Sequence, residues 1–197
     1  KAAQGGEAAF KRLGDAAKAV AKTLAAVGAV GGAAVVTMAT KTVRAGIEFN
    51  VLQQKVRAAL TTILGTAGAA EELLSKINEL NDTSPFSRAS FLEATQQLIG
   101  FGVEADKIVG ILDSVQQAVA GIGGNEQDIL RISSAFARIA SSGRLTGDVL
   151  LTLQEKGIDA AKLIAEEFEV TAEEIRNQTS RGAIGADEAI DALTKGL

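Results

Sequence analysis

The residues in this chain that could do chemistry are almost all carboxylates: 24 Asp and Glu stand against no His and no Cys. Without imidazole or thiol, Ser-His and Cys-His nucleophile systems cannot be assembled, nor can the common zinc sites. A hydrolase using one carboxylate as acid and another as base needs a pair facing a single cleft. No such pair emerges, because most of the acidic residues fall at helix starts or on polar faces, where they cap or are solvated. Seven Phe without Trp or Tyr make a poor stacking set for single-stranded nucleic acid or sugar. The glycine runs "GAVGG" and "GIGGN" lack a following Gly-Lys-Ser/Thr and follow no convincing strand, so a phosphate loop is excluded. The inventory contains no catalytic residue, no cofactor-binding residue and no metal ligand. It points away from an enzyme.

The elements that hold these residues are helical. One proline and abundant Ala, Leu, Glu, Lys and Gln predict an all-α protein, an extended N-terminal helical segment followed by a compact bundle of short helices. Charge divides the chain. Residues 1–57 hold nine basic and three acidic residues, and the remainder eleven basic and twenty-one acidic, which suggests two surfaces with different partners. Three regions follow: a basic Ala/Gly-rich extended helical segment over 1–48, a long amphipathic helix over 49–82, and a compact helical domain over 83–197. The chain opens at Lys1 without a start signal and is read as a piece of a longer protein.

In the middle region, Val56, Leu60, Ile63, Ala67, Ala70, Leu74 and Ile77 recur at alternating steps of four and three. This is either a coiled-coil-like seam or, the reading we prefer, an amphipathic helix packed on its own domain. Gly65 and Gly68 are places for a break. "NELNDTSPFSRAS" then disfavours helix, and Ser87 is a natural N-cap for the next one. Asn125 with Asp128 caps a later helix that Gly143 closes. Thr171 with Glu174 forms a capping box.

The C-terminal region repeats itself. "GRLTGDVLLTLQEKG", residues 143–157, returns as "GAIGADEAIDALTKG", residues 182–196. Each copy is a glycine turn, a large apolar residue and a helix opened near an Asp and closed at Lys-Gly, a layout that suits the helix dipole. Nothing in it binds a ligand. The copies read as a packing unit, with Leu145, Leu151, Leu153, Ile184 and Ile190 as its packed side chains.

Two segments invite sharper readings. "LIAEEFEVTAEEIRN" has the rhythm of a helix-turn-helix, with a turn around Glu169 and Val170. A DNA-binding regulator is the alternative function on that ground. Six acidic residues between Asp159 and Glu174 would, however, repel phosphate. Thr23–Thr40 is uncharged and long enough to reach the edge of a membrane span, and Gly28 and Gly32 have the close-approach spacing of packed helices. Its apolar content rests on few residues, Val35 and Val36 among them. Burial against copies of itself accounts for the small residues equally well.

"SPFSRASFLEATQQLIGFG", the run from "AGIGGNEQDIL" through "AEEIRN", and "GAIGADEAIDAL" together resemble the tape measure domain of long-tailed bacteriophages. The resemblance covers roughly Phe49 to Leu197. Asp159 stands where that pattern carries Pro and Glu169 where it carries Gly, which bears on the local turns. The resemblance implies a structural protein of the tail that sets tail length during assembly, occupies the lumen of the tail tube or tip in the virion, and is released at infection to help genome delivery. It implies copies of itself, tail tube and tail-tip proteins and tail assembly chaperones as partners, with a bacterial membrane met during ejection. It also implies host cytoplasm during assembly, no sequence-specific nucleic acid and no cofactor.

Overall fold

The computed structural model describes residues 32–197, with side chains from residue 48 onward. Gly28 lies outside these residues, as do the side chains of Gly32, Val35 and Val36, so the close packing expected of them falls beyond what is described. The chain divides into two units at Asn50/Val51, and the second, Val51–Leu197, holds the bundle.

Nine helices run through the described residues: α1 Gly32–Leu64, α2 Ala67–Asp82, α3 Arg88–Gly100, α4 Ala105–Gly121, α5 Glu126–Ser142, α6 Gly147–Gln154, α7 Ala160–Glu167, α8 Ala172–Ser180 and α9 Ala186–Gly196. No strand occurs among them, only an isolated antiparallel bridge between Arg144 and Gly185.

The helix expected over 49–82 is divided. Gly65 takes a left-handed φ of +75°, and the Thr66 hydroxyl accepts the Ala69 N–H at 3.2 Å to start α2. Glycine adopts that backbone without the Cβ clash that penalises other residues. The break also resets the helical face. Val56, Leu60, Ala70, Leu74 and Ile77 are buried as the four-three rhythm requires, but Ile63 is 55% exposed and Leu73 joins the core. A four-three seam presumes an unbroken axis, and Ile63 sits in the last turn before the axis ends. Arg57 and Glu71, 2.8 Å apart, pair across the break.

Beyond α2, the buried Asn81 donates from Nδ2 to the Phe86 carbonyl at 2.9 Å and so closes the Ser84–Pro85–Phe86 turn. Ser87 caps α3 as its sequence position foretells, its Oγ accepting the Ser90 N–H at 3.3 Å. The Ser87 N–H donates to Glu126 at 3.1 Å, which pins the start of α3 to the start of α5. These two helices form the most extensive pair in the bundle. Both bury small residues one turn apart, Ser90 and Ala94 on α3 and Ser133 and Ala137 on α5, which lets backbones come close. Phe91, Leu98, Ile111, Ile132, Phe136 and Ile139 fill the space around them.

The rest of the chain folds back on this centre. α4 packs on α5 and α2, and α9 packs on α7, α5 and α4. α7 and α8 form the helix-turn-helix anticipated between the copies. Its turn closes through the Val170 N–H donating to the Ala165 carbonyl at 3.0 Å, and Glu169 sits at φ +56°. Among the described residues, Glu169 is the one non-glycine with positive φ. That is the position at which the resembling pattern carries Gly, so the turn keeps its geometry and a side chain bears the strain.

An L-residue in the left-handed region costs about 1–2 kcal/mol, of which glycine's extra freedom in the unfolded chain offsets part. Glu169→Gly should therefore raise stability by about 0.5–1 kcal/mol, read from the midpoint of urea unfolding; an unchanged or lowered midpoint counts against strain at this turn.

Candidate docking surface

The two copies of the repeated unit meet each other. Gly143 and Gly182 both take φ +67°, and each turns the chain into a short extended segment. There the Leu145 N–H donates to the Ile184 carbonyl at 3.0 Å, and the Ala186 N–H donates to the Gly143 carbonyl at 3.1 Å. Leu145 and Ile184, the matching large apolar residues, are both buried beside this bridge. Thr146 and Gly185 occupy the same position in the two copies and both serve as N-caps, of α6 and α9.

The Asp and Lys of each copy, read as helix-dipole partners, also tie the unit to its neighbours. Asp148 pairs with Arg138 on α5. Asp187 accepts from Lys107 on α4 at 2.8 Å. Lys156 reaches Asp128 at the start of α5 at 2.7 Å, and Lys195 pairs with Glu167 on α7. Four contacts of one kind, made by two copies, hold α6 and α9 to three other helices.

Of the five side chains expected to pack the unit, Leu145, Leu153, Ile184 and Ile190 are buried and Leu151 is not, at 54% exposed. The correction has a geometric cause. α6 has only eight residues, and its inward face is set by Val149 and Leu153, four apart. Leu151 lies two residues from each, about 200° round the helix, and points away. In the second copy the equivalent Ile190 is inward because α9 is rolled to bury Ala189, Ile190, Ala192 and Leu193. Sequence reading passed over Val149 and Leu193, although the Val149–Leu153 spacing was the available signal.

Among the described residues no group of His, Cys, Asp and Glu could hold a metal. A cleft of about 860 Å³ opens between the α3–α4 turn and the start of α9, with Val103, Lys107, Ala140, Gly185, Asp187 and Ile190 in its lining. Its one cation is already engaged, since Lys107 lies 2.8 Å from Asp187, 3.5 Å from Asp191 and 3.6 Å from Glu104. The hydrogen bond to Asp187 holds the ammonium above its ordinary value; partial burial opposes this, and the neighbouring carboxylate charges add to it. That raised value favours the fold at neutral pH and is lost only as pH climbs through it. The helix-turn-helix fares no better as a DNA reader: Glu173 and Glu174 open α8 and stand exposed beside Glu169. That charge is opposite to what phosphate requires.

The best-buried ion pair is Lys156–Asp128, with side chains 23% and 12% exposed. The Lys156 hydrogen bond, followed by the Asn125 N–H at 3.0 Å, holds the Asp128 carboxyl below its ordinary value, against a smaller burial effect. A lowered folded value stabilises above the unfolded carboxylate pKa of about 3.9 and is lost as pH falls through the folded one. Asp128→Asn should cost about 1–2 kcal/mol at pH 7. In urea titrations at several pH values that difference should shrink below about pH 4. A pH-independent difference would remove the ion pair from the account. Truncating Leu153 to Ala should cost about 2–5 kcal/mol, whereas Leu151→Ala should stay within about 0.5 kcal/mol. Equal losses at the two positions would contradict the roll of α6.

A family model described as tape measure protein matches residues 42–197. No curated protein and no solved structure matches the chain. The match begins inside α1 and runs to the end of α9, so it takes in the C-terminal part of the long helix and the whole bundle. The chain belongs to the tape measure protein family, structural components of bacteriophage tails.

Proposed function

We propose that this protein sets tail length during assembly, lies in the lumen of the tail tube and tip, and leaves at infection to help the genome cross the cell envelope. The observation that carries the reading is α1. A helix of 33 residues enters the family match and joins a bundle at its C-terminal end. An α-helix rises 1.5 Å per residue, so α1 alone spans about 50 Å, and a chain held in that form along a tube converts residue number into distance. The bundle is the complementary part, a compact element. Its work is contact rather than catalysis, with copies of itself, tail tube and tail-tip proteins and assembly chaperones as the partners.

Delivery belongs to the segment before Asn50. Its basic charge suits an anionic membrane surface, and its Ala/Gly run allows close packing of several copies. Among the described residues no helix is long and apolar enough to cross a membrane. Entry would rest on Thr23–Thr40 and on several copies acting together.

A deletion within residues 1–41 should shorten the tail by about 1.5 Å per residue removed, measured on assembled virions by electron microscopy. Tails of unchanged length would sink the ruler. In the same particles Gly28→Leu should leave length unaltered and reduce DNA release into anionic vesicles. Undiminished release would detach delivery from this segment.

A further inference from the structure

The break between α1 and α2 interrupts a pattern that the sequence carries straight through. Val56, Leu60 and Ile63 precede the break, Ala67, Ala70 and Leu74 follow it, and the steps of four and three continue without a slip. On one helix these residues would form a single stripe. In the structure the stripe is cut, and Ile63 stands 55% exposed in the last turn of α1.

Little enforces the bend. Gly65 and Thr66 are the two residues outside helix, and the chain's one proline lies beyond α2, at Pro85. Glycine weakens a helix without forbidding it, as proline would. A Cβ built on Gly65 or on Gly68 would meet nothing within 4 Å, so no packing at either glycine fixes the turn.

One contact does hold it. Arg57 donates to Glu71 through a two-bond fork, Nε to Oε1 at 2.8 Å and Nη2 to Oε2 at 3.2 Å. On an unbroken helix, residues so far apart in sequence are separated by about 21 Å of rise. That is beyond the combined reach of the two side chains, so the fork exists only in the bent form. Both side chains are 51% exposed, and an exposed pair holds weakly and yields to salt.

We propose that Gly65–Thr66 is an elbow latched by Arg57 and Glu71, which opens into one helix from Gly32 to Asp82 when a second copy of the chain covers the straightened stripe. Val56 and Leu60 are buried in the bent form, so opening needs a new cover for them. A second copy brings the same four-three stripe, the spacing at which two helices wind about each other. The inference rests on the self-association proposed above and adds that association and straightening are one step. The same residues then have two lengths, short in the free chain and long in the associated one.

The chain has no cysteine, so Gln54→Cys and Ser75→Cys, exposed and on either side of the elbow, take a pair of spin labels on the full chain. Double electron–electron resonance reads their separation, with the labelled chain diluted into unlabelled chain. A straight helix puts the two positions about 32 Å apart, and the bent form brings them closer. Dilute chain should show the short distance, and added unlabelled chain should raise the long one at its expense. Gly65→Ala strains the left-handed turn and favours helix, so it should raise the ratio of long to short at least about tenfold. Arg57→Glu should raise it about threefold, and Glu71→Arg added to it should restore the original ratio. The proposal is overturned if Gly65→Ala keeps the short distance or if the exchanged pair fails to restore the ratio. Light scattering on the same samples separates the two readings. Chain that associates and stays bent overturns the elbow alone, whereas chain that stays monomeric overturns self-association with it.

Discussion

The pairing of the two repeated segments is the constraint on which the C-terminal half of this protein depends. Two backbone hydrogen bonds, Leu145 to Ile184 and Ala186 to Gly143, join stretches nearly forty residues apart. Each bond alone adds about 1 kcal/mol. Their larger effect is positional. Satisfying them requires both glycine turns to be left-handed and both large apolar residues to face inward, and it fixes where α6 and α9 begin. Everything between the copies, the α7–α8 hairpin included, must then close a loop of defined span.

Charge completes what the bridge begins. A helix favours an acid at its start and a base at its end whatever surrounds it. Here the same groups are used a second time, as ties to α4, α5 and α7. Exposed ion pairs contribute little individually, so their value lies in register: each tie is made only if α6 and α9 are rolled correctly over the core. The half-buried Lys156–Asp128 pair is the exception in strength. It joins the turn after α6 to the capping box that starts α5, and so couples the repeated unit to the central α3–α5 pair.

A bundle held in this way has its polar groups committed to holding itself together. Lys107 at the α9 cleft is already held by Glu104, Asp187 and Asp191, and the α7–α8 pair carries exposed acidic residues where a DNA reader needs basic ones.

The sequence by itself determined the all-helical class, the caps at Ser87, Asn125 and Thr171, and the duplication. These are local matters: propensity and capping chemistry act within a few positions. The motif resemblance likewise reached the family, because the motif residues are contiguous. Which face of each helix is buried was decided only by tertiary structure. Leu151 and Ile190 occupy equivalent positions, yet one points to solvent and the other into the core, because each short helix is rolled to suit different neighbours. Ile63 fits a seam on paper and loses it where the axis breaks at Gly65. Glu169 kept a turn that glycine would hold without strain, because the packing of α7 on α8 outweighs about a kilocalorie of backbone cost. That the two copies bind one another was legible only in space: a sequence shows that a unit is repeated, and geometry alone shows that its copies meet.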